Sequence, residues 1–302
     1  MKTKAKLVLA LAVLTAGTAF AGASGTFAWF SVNRSAVLQY SKVTAQATGP
    51  NLEAKFLATV PGVTSTLSNG ADSQSATSST SYTADISSAD GITMAKPNWI
   101  TEAGAASTPI AGVSKVTDVS KYFTRFIIKV TNTAADGQGD LDLYLDTNCA
   151  ITASSTSGDN VAKDAALAKW TRVGVVYLGT TSPTSVDGWV AKSGVKPVVF
   201  ENADAGSTKG QYVEVNPSAN TLAYEAIPST TNYSTAVSTD FVVNSSSART
   251  SKNYIGTVED NNTTVYLGVT VWMEGTELAN QDSAKEGAVD IKIGLSSKEA
   301  TA

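Results

Sequence analysis

Alternation of apolar and polar side chains recurs wherever large apolar residues cluster in this chain, and it commits the chain to β-structure. Val265, Leu267, Val269 and Val271 alternate in one run, and Val289, Ile291, Ile293 and Leu295 alternate with Asp290, Lys292, Gly294 and Ser296 in another. A period of two puts each apolar set on one face of a strand. Leu52, Ala54, Phe56, Ala58 and Val60 repeat the pattern between Pro50 and Pro61-Gly62, which read as turns. Tyr122, Phe126, Ile128 and Val130 share a side of the next strand. Asp136-Gly137-Gln138-Gly139-Asp140 then leads into Leu141, Leu143 and Leu145, which predicts a hairpin.

Residues 170–178 are apolar on both faces at Val173, Val175, Val176 and Tyr177, as a central strand would be. Brief β-like pieces are expected at 197–200, 212–215, 222–227 and 241–243, with a turn at 258–262. Outside the first 28 residues the one Ala-rich helical segment is 161–168, with Asn160 as its candidate cap. Residues 64–90 are almost pure Ser, Thr, Ala and Asp and read as a long inserted surface loop, with a weak edge strand near 82–86. About ten half-buried strands and one short helix imply an all-β, antiparallel two-sheet sandwich.

The N-terminal end has a different character. Lys2, Lys4 and Lys6 precede an apolar run over 7–20 and the small residues Ala21-Gly22-Ala23-Ser24-Gly25, the layout of a secretory signal peptide. The run is short for a membrane span. Small residues allow cleavage after Ala21 or after Ala28, and the second would make Trp29 the first residue. Beyond it, Phe30, Val32, Ala36, Leu38 and Tyr40 share one parity while Ser31, Asn33, Ser35 and Gln39 share the other. The expectation is therefore a signal peptide at 1–28, then one domain over 29–302 that opens with an apolar strand.

Composition narrows the chemistry. Charged residues make up 16%, and net charge is −4; losing residues 1–28, with three Lys and no acid, takes it to −7. That sign argues against binding nucleic acid through its phosphates. The chain has no His, which removes Ser-His and Cys-His nucleophiles and His-bearing zinc sites. No phosphate-binding glycine loop occurs. The single Cys149 cannot close an internal disulfide and is expected as a small buried hydrophobe at a strand end. No catalytic residue, cofactor or metal ligand is assigned.

Three features invite chemistry but read more simply as structure. The acids around 136–140 suggest calcium, yet their spacing matches no EF-hand loop and fits a solvated turn. Glu274 beside Trp272 is expected to be solvated or to cap a turn, and Asp140 with Asp142 lies too close in sequence to set the spacing of a two-carboxylate hydrolase. Trp29, Trp99, Trp170, Trp189 and Trp272 are scattered and read as packing rather than a sugar platform. Sequons at Asn33, Asn232, Asn244, Asn261 and Asn262 carry little weight in a Ser/Thr-rich chain.

Gly25-Thr26-Phe27-Ala28-Trp29-Phe30-Ser31 at the junction, and Val269-Thr270-Val271-Trp272-Met273-Glu274-Gly275 followed by Val289-Asp290-Ile291-Lys292-Ile293, resemble the TasA and camelysin-type biofilm fibre proteins with a SipW-type signal peptide. The resemblance implies a dedicated signal peptidase acting near Ala28, a jelly-roll sandwich, and homo-polymeric extracellular fibres. In that family the mature N-terminal strand can complete the sheet of the next subunit; here residues 29–40 would be the donor. The insertion at 64–90 and the irregular region at 197–247 depart from a minimal member. The expected function is a secreted, non-enzymatic structural subunit of a fibre or biofilm matrix, with matrix or cell-surface components as further partners. The alternative is a monomeric secreted adhesin or binding module.

Overall fold

The computed structural model describes residues 39–48, 51–57, 66–68, 73–78, 86–99, 110–115, 123–134, 139–186, 188–202, 209–216, 221–235, 239–244, 246–274 and 287–300. The chain is an all-β sandwich whose two main sheets enclose one apolar core. Sheet A has the order β15 (Tyr254–Val258), β8 (Leu141–Leu145), β17 (Ala288–Glu299), β1 (Gln39–Thr48), β4 (Ser73–Ser78), β3 (Thr66–Ser68), with β9 (Ala150–Ala153) also on β17. Sheet B has the order β14 (Asn232–Thr235), β11 (Val198–Glu201), β10 (Thr171–Gly179), β16 (Thr264–Met273), β7 (Phe123–Asn132), β2 (Leu52–Phe56). Most pairings are antiparallel, but β1 with β17 and β11 with β14 are parallel. Two separate hairpins, β5 (Ala95–Trp99) with β6 (Ile110–Lys115) and β12 (Gln211–Asn216) with β13 (Thr221–Ala226), complete the described strands.

The period-two patterns set the core. Val265, Leu267, Val269 and Val271 of β16 face Val289, Ile291, Ile293 and Leu295 of β17 within a single buried cluster, joined by Val43 and Ala45 of β1. Strand β10 is central and buried along nearly its whole length, as its two apolar faces require. Its outward residues and those of β7 and β16 meet a third layer: Phe123, Val199 and Trp272 pack with Ile86 and Met94, while Ile127 packs with Val186 and Trp189.

Helix α1 (Val161–Trp170) runs two residues further than the Ala-rich stretch and has no side-chain cap, because Asn160 itself lies in the helical region of the backbone. It is tied instead by buried Asp164, which accepts the N–H groups of Ser155 and Ala288, both at 2.8 Å. Leu167, Ala168 and Trp170 turn its inner face into the core.

Several expectations need correction. The predicted hairpin around Asp140 does not form, since β7 belongs to sheet B and β8 to sheet A. Alternation fixes which face is buried but not which strand is the neighbour. The 64–90 stretch is not simply a loop, because β3 and β4 lie in it and extend sheet A beyond β1. Ser/Thr-rich segments bury little apolar area, but they offer the full set of main-chain donors and acceptors that the exposed side of β1 needs. Residues 86–88 are buried, and the weak edge strand expected at 82–86 lies outside the described residues apart from Ile86. Phe241 ends a 3-10 turn (Thr239–Phe241) rather than a strand, packed edge-on against Phe200 at 6.0 Å.

The sandwich is closed at β15. Tyr177 of β10 donates its phenol hydrogen to the Thr257 carbonyl at 2.6 Å, and its ring lies directly against Gly256, whose φ is +145°. Only Gly accepts both that backbone and that contact. Gly256→Ala is expected to cost about 2–4 kcal/mol through strain and overpacking. Urea unfolding should show a lower midpoint with an unchanged slope.

Candidate functional site

Of the residues expected to form the N-terminal site, Ala28, Trp29, Phe30, Val32, Ala36 and Leu38 lie outside the described residues. Tyr40 does not: it belongs to β1 and pairs within its own chain, opposite Val289 of β17 and Ser78 of β4. Strand β1 is paired with β17 from Gln39 and with β4 from Tyr40.

The described chain places its densest buried chemistry elsewhere. Arg172 on β10, Glu201 at the end of β11 and Glu274 just past β16 are each no more than 1% exposed and meet on the outer side of sheet B. Arg172 Nε donates to Glu201 Oε2 at 2.7 Å, and its Nη1 lies 3.0 Å from Glu274 Oε2. Glu201 Oε1 accepts the Gly210 N–H at 3.1 Å and the Tyr233 hydroxyl. Glu274 Oε2 accepts Trp272 Nε1 at 2.9 Å and the Ser88 N–H at 3.3 Å. Glu274 is thus neither solvated nor a turn cap. Strand parity carried it, like Trp272, to the outer face of sheet B, where the third layer covers it.

Burial opposes charge on Arg172, but Glu274 and Glu201 more than offset this and hold the guanidinium above its ordinary range. Burial pushes Glu274 above the usual carboxylate value of 4.5, against the pull of Arg172, Ser87, Trp272 and the Ser88 N–H. One cation faces two acids out of reach of water, so this cluster fastens elements together rather than meeting a substrate. A second buried arginine does similar work: Arg125 donates to Thr270 Oγ1 and the Val186 carbonyl, both at 3.1 Å, and to the Ile92 carbonyl. Its guanidinium lies 4.8 Å from the Phe123 ring centre and 4.9 Å from that of Trp189.

Sequence reasoning missed both arginines. The signal was present at Arg172, a lone charge inside an apolar run that already read as a central strand, where a charge must be paired to be tolerated. Among the other acids, Asp142 is held by Arg249 Nε at 3.0 Å and by Thr257, while Asp140 Oδ1 takes the Asp260 N–H at 3.1 Å. The two carboxylates serve different partners. Cys149 is free and buried, its thiol pushed up to about 12 by burial.

A polar cavity of about 360 Å³ opens beside the 3-10 turn, lined among others by Asp240, Val242, Asn244, Lys252 and Asn253. The loop that forms it is pinned by buried Phe241 and Asn253, the latter donating to the Leu145 carbonyl at 2.9 Å. Lys298 Nζ, at 2.8 Å, and the Tyr144 hydroxyl, at 3.4 Å, both donate to the Ser247 carbonyl.

The buried acid gives a signed pH prediction. A folded-state value raised above 4.5 means that Glu274 favours folding most below the ordinary carboxylate range, and that this contribution is lost as pH rises toward its own value. Glu274→Gln is expected to remove that loss, so the stability difference between variant and parent should move in the variant's favour as pH rises above 4.5. Arg172→Met, which strands two buried carboxylates, should cost about 3–5 kcal/mol at neutral pH. Urea unfolding at a series of pH values reads both effects. No protein-family model matches the chain, and no curated protein matches it.

Proposed function

We propose that this chain is a secreted structural subunit of an extracellular fibre or biofilm matrix, joined copy to copy through residues 29–38. The observation that carries the reading is the position of β1: the segment 29–38 runs directly into an interior strand of sheet A, flanked by β17 and β4. Phe30, Val32 and Leu38 give that segment an apolar face, and the leader before it is of the kind that export removes. A strand at the chain's beginning can change partners without breaking a loop, and a head-to-tail exchange that does not close on itself propagates as a filament. Burial of each large apolar side chain contributes about 1.5–3 kcal/mol. A dedicated signal peptidase cutting after Ala28 would leave Trp29 at the new terminus, and matrix or cell-surface components are the further partners. The resemblance to TasA and camelysin-type proteins and the all-β sandwich support the same reading.

A second reading, a monomeric secreted adhesin or binding module, is favoured by one observation. Residues 242–244 and 246–253 are largely polar, are pinned through Asn253, and line the cavity beside Asp240 and Lys252.

Secretion of the full chain from an expressing cell, with imaging and sedimentation of the medium, separates the two. Filaments are expected, with Trp29 as the N-terminus by mass spectrometry. The double substitution Phe30→Asp with Val32→Asp should abolish the filaments while leaving a folded monomer by circular dichroism. Filaments unaffected by that change, or a parent chain that stays monomeric at high concentration, would refute the fibre reading.

A further inference from the structure

We infer that the polar cavity beside the 3-10 turn is a binding site for a neutral saccharide, an assignment that goes beyond the fibre reading and gives the binding-module reading its ligand. At about 360 Å³ the cavity falls at the small end of the range for ligand pockets, roughly 300–1,000 Å³.

Its wall is built without help from a ligand. Main-chain groups of the surrounding turns satisfy one another: Ser247 N–H donates to the Asn244 carbonyl at 3.0 Å, Ser251 N–H to the Ala248 carbonyl at 2.8 Å and Tyr254 N–H to the Ser251 carbonyl at 3.1 Å. Leu145 N–H donates to the Asn253 carbonyl at 2.8 Å and ties these turns to sheet A. Side-chain groups that folding does not use are left over on the lining residues. Asn244 Oδ1 is taken by the Ser246 N–H at 2.9 Å, so its NH2 remains to donate. Thr250 makes no hydrogen bond among the described residues. Lys252 Nζ gives Asp240 Oδ2 one of its three hydrogens, at 3.2 Å. Asn253, also in the wall, is 0% exposed; its Nδ2 is held by the Leu145 carbonyl, while its Oδ1 is buried with no partner among the described residues. A buried acceptor left without a donor is rare.

The mixture of groups selects the ligand class. A free anion would meet the Asp240 carboxylate and a free cation the Lys252 ammonium, and these two charges balance each other. An apolar ligand would strip water from amides and hydroxyls and return no hydrogen bond. A saccharide carries neutral hydroxyls, each donor and acceptor at once, set side by side around a ring. One hydroxyl can donate to Asp240 while its neighbour accepts from Lys252 or from the Asn244 NH2. Val242, 45% exposed and the one aliphatic side chain among the lining residues, offers a contact for the C–H face of the ring. The lining residues include no aromatic platform, so binding is expected to be weak and selective rather than tight.

Calorimetric titration of the secreted full chain tests the site. The neutral probes are glucose, lactose, cellobiose and di-N-acetylchitobiose; glucuronate and glucosamine are the charged ones. Binding of at least one neutral probe is expected, with neither charged sugar binding more tightly than glucose. Asp240→Asn, Asn244→Asp and Thr250→Val should each weaken it about tenfold, the effect of one lost hydrogen bond to a ligand. Asn244→Asp keeps the acceptor that takes the Ser246 N–H, and Thr250→Val keeps the side-chain shape. An unchanged urea midpoint shows that each variant folds as the parent does. No binding of any neutral probe, tighter binding of glucuronate or glucosamine than of glucose, or affinity unaltered in all three folded variants each overturns the assignment. None of these outcomes bears on whether the chain polymerises, which imaging and sedimentation decide, so failure of this site and failure of the fibre reading are seen separately.

Discussion

The pairing of β1 with β17 joins the first described strand to the last, in parallel, from Gln39 opposite Ala288 to Thr48 opposite Ser296. A parallel pair needs a crossover, and here the crossover is everything between the two strands, sheet B included. Val43 and Ala45 cannot take their places in the core until Ile291 and Ile293 are there to lie beside them. Contacts of such sequence separation carry their loop entropy before they return any stability, so sheet A closes late. The residues that precede β1 are tethered to an element that docks only when the whole chain is present.

The third layer explains why charges are buried at all. The chain covering the outer side of sheet B is largely irregular, and its main-chain groups lose water without gaining a ladder. Arg125 meets the carbonyl of Ile92, Arg172 that of Gln211, Glu274 the N–H of Ser88 and Glu201 the N–H of Gly210. Each buried charge is thus a long-armed hydrogen-bond partner for backbone that secondary structure leaves unserved. Gly91 shows how close the layer lies, since a Cβ there would stand 2.9 Å from the Gly174 backbone and its φ is +69°. Breaking one ion pair leaves stranded charge and loosens the cover together, so the cluster behaves as one unit.

What alternation can express was legible, and what depends on a third dimension was not. The strands around Val173, Val269 and Ile291 and the helix before Thr171 follow directly from their patterns. The strand partner of β7 did not, because Leu141, Leu143 and Leu145 have the same parity whether they fold back beside β7 or cross to the other sheet. Strands β3 and β4 escaped notice because a sheet can recruit a segment by main-chain pairing alone. The fastening of Arg172, Glu201 and Glu274 was invisible for a related reason: period two says that a residue leaves the core face, not whether solvent or a further layer awaits it. At the N-terminal end residues 29–38 lie outside the described residues, and alternation alone did not show that Gln39 and Tyr40 pair with Ala288 and Val289 of their own chain.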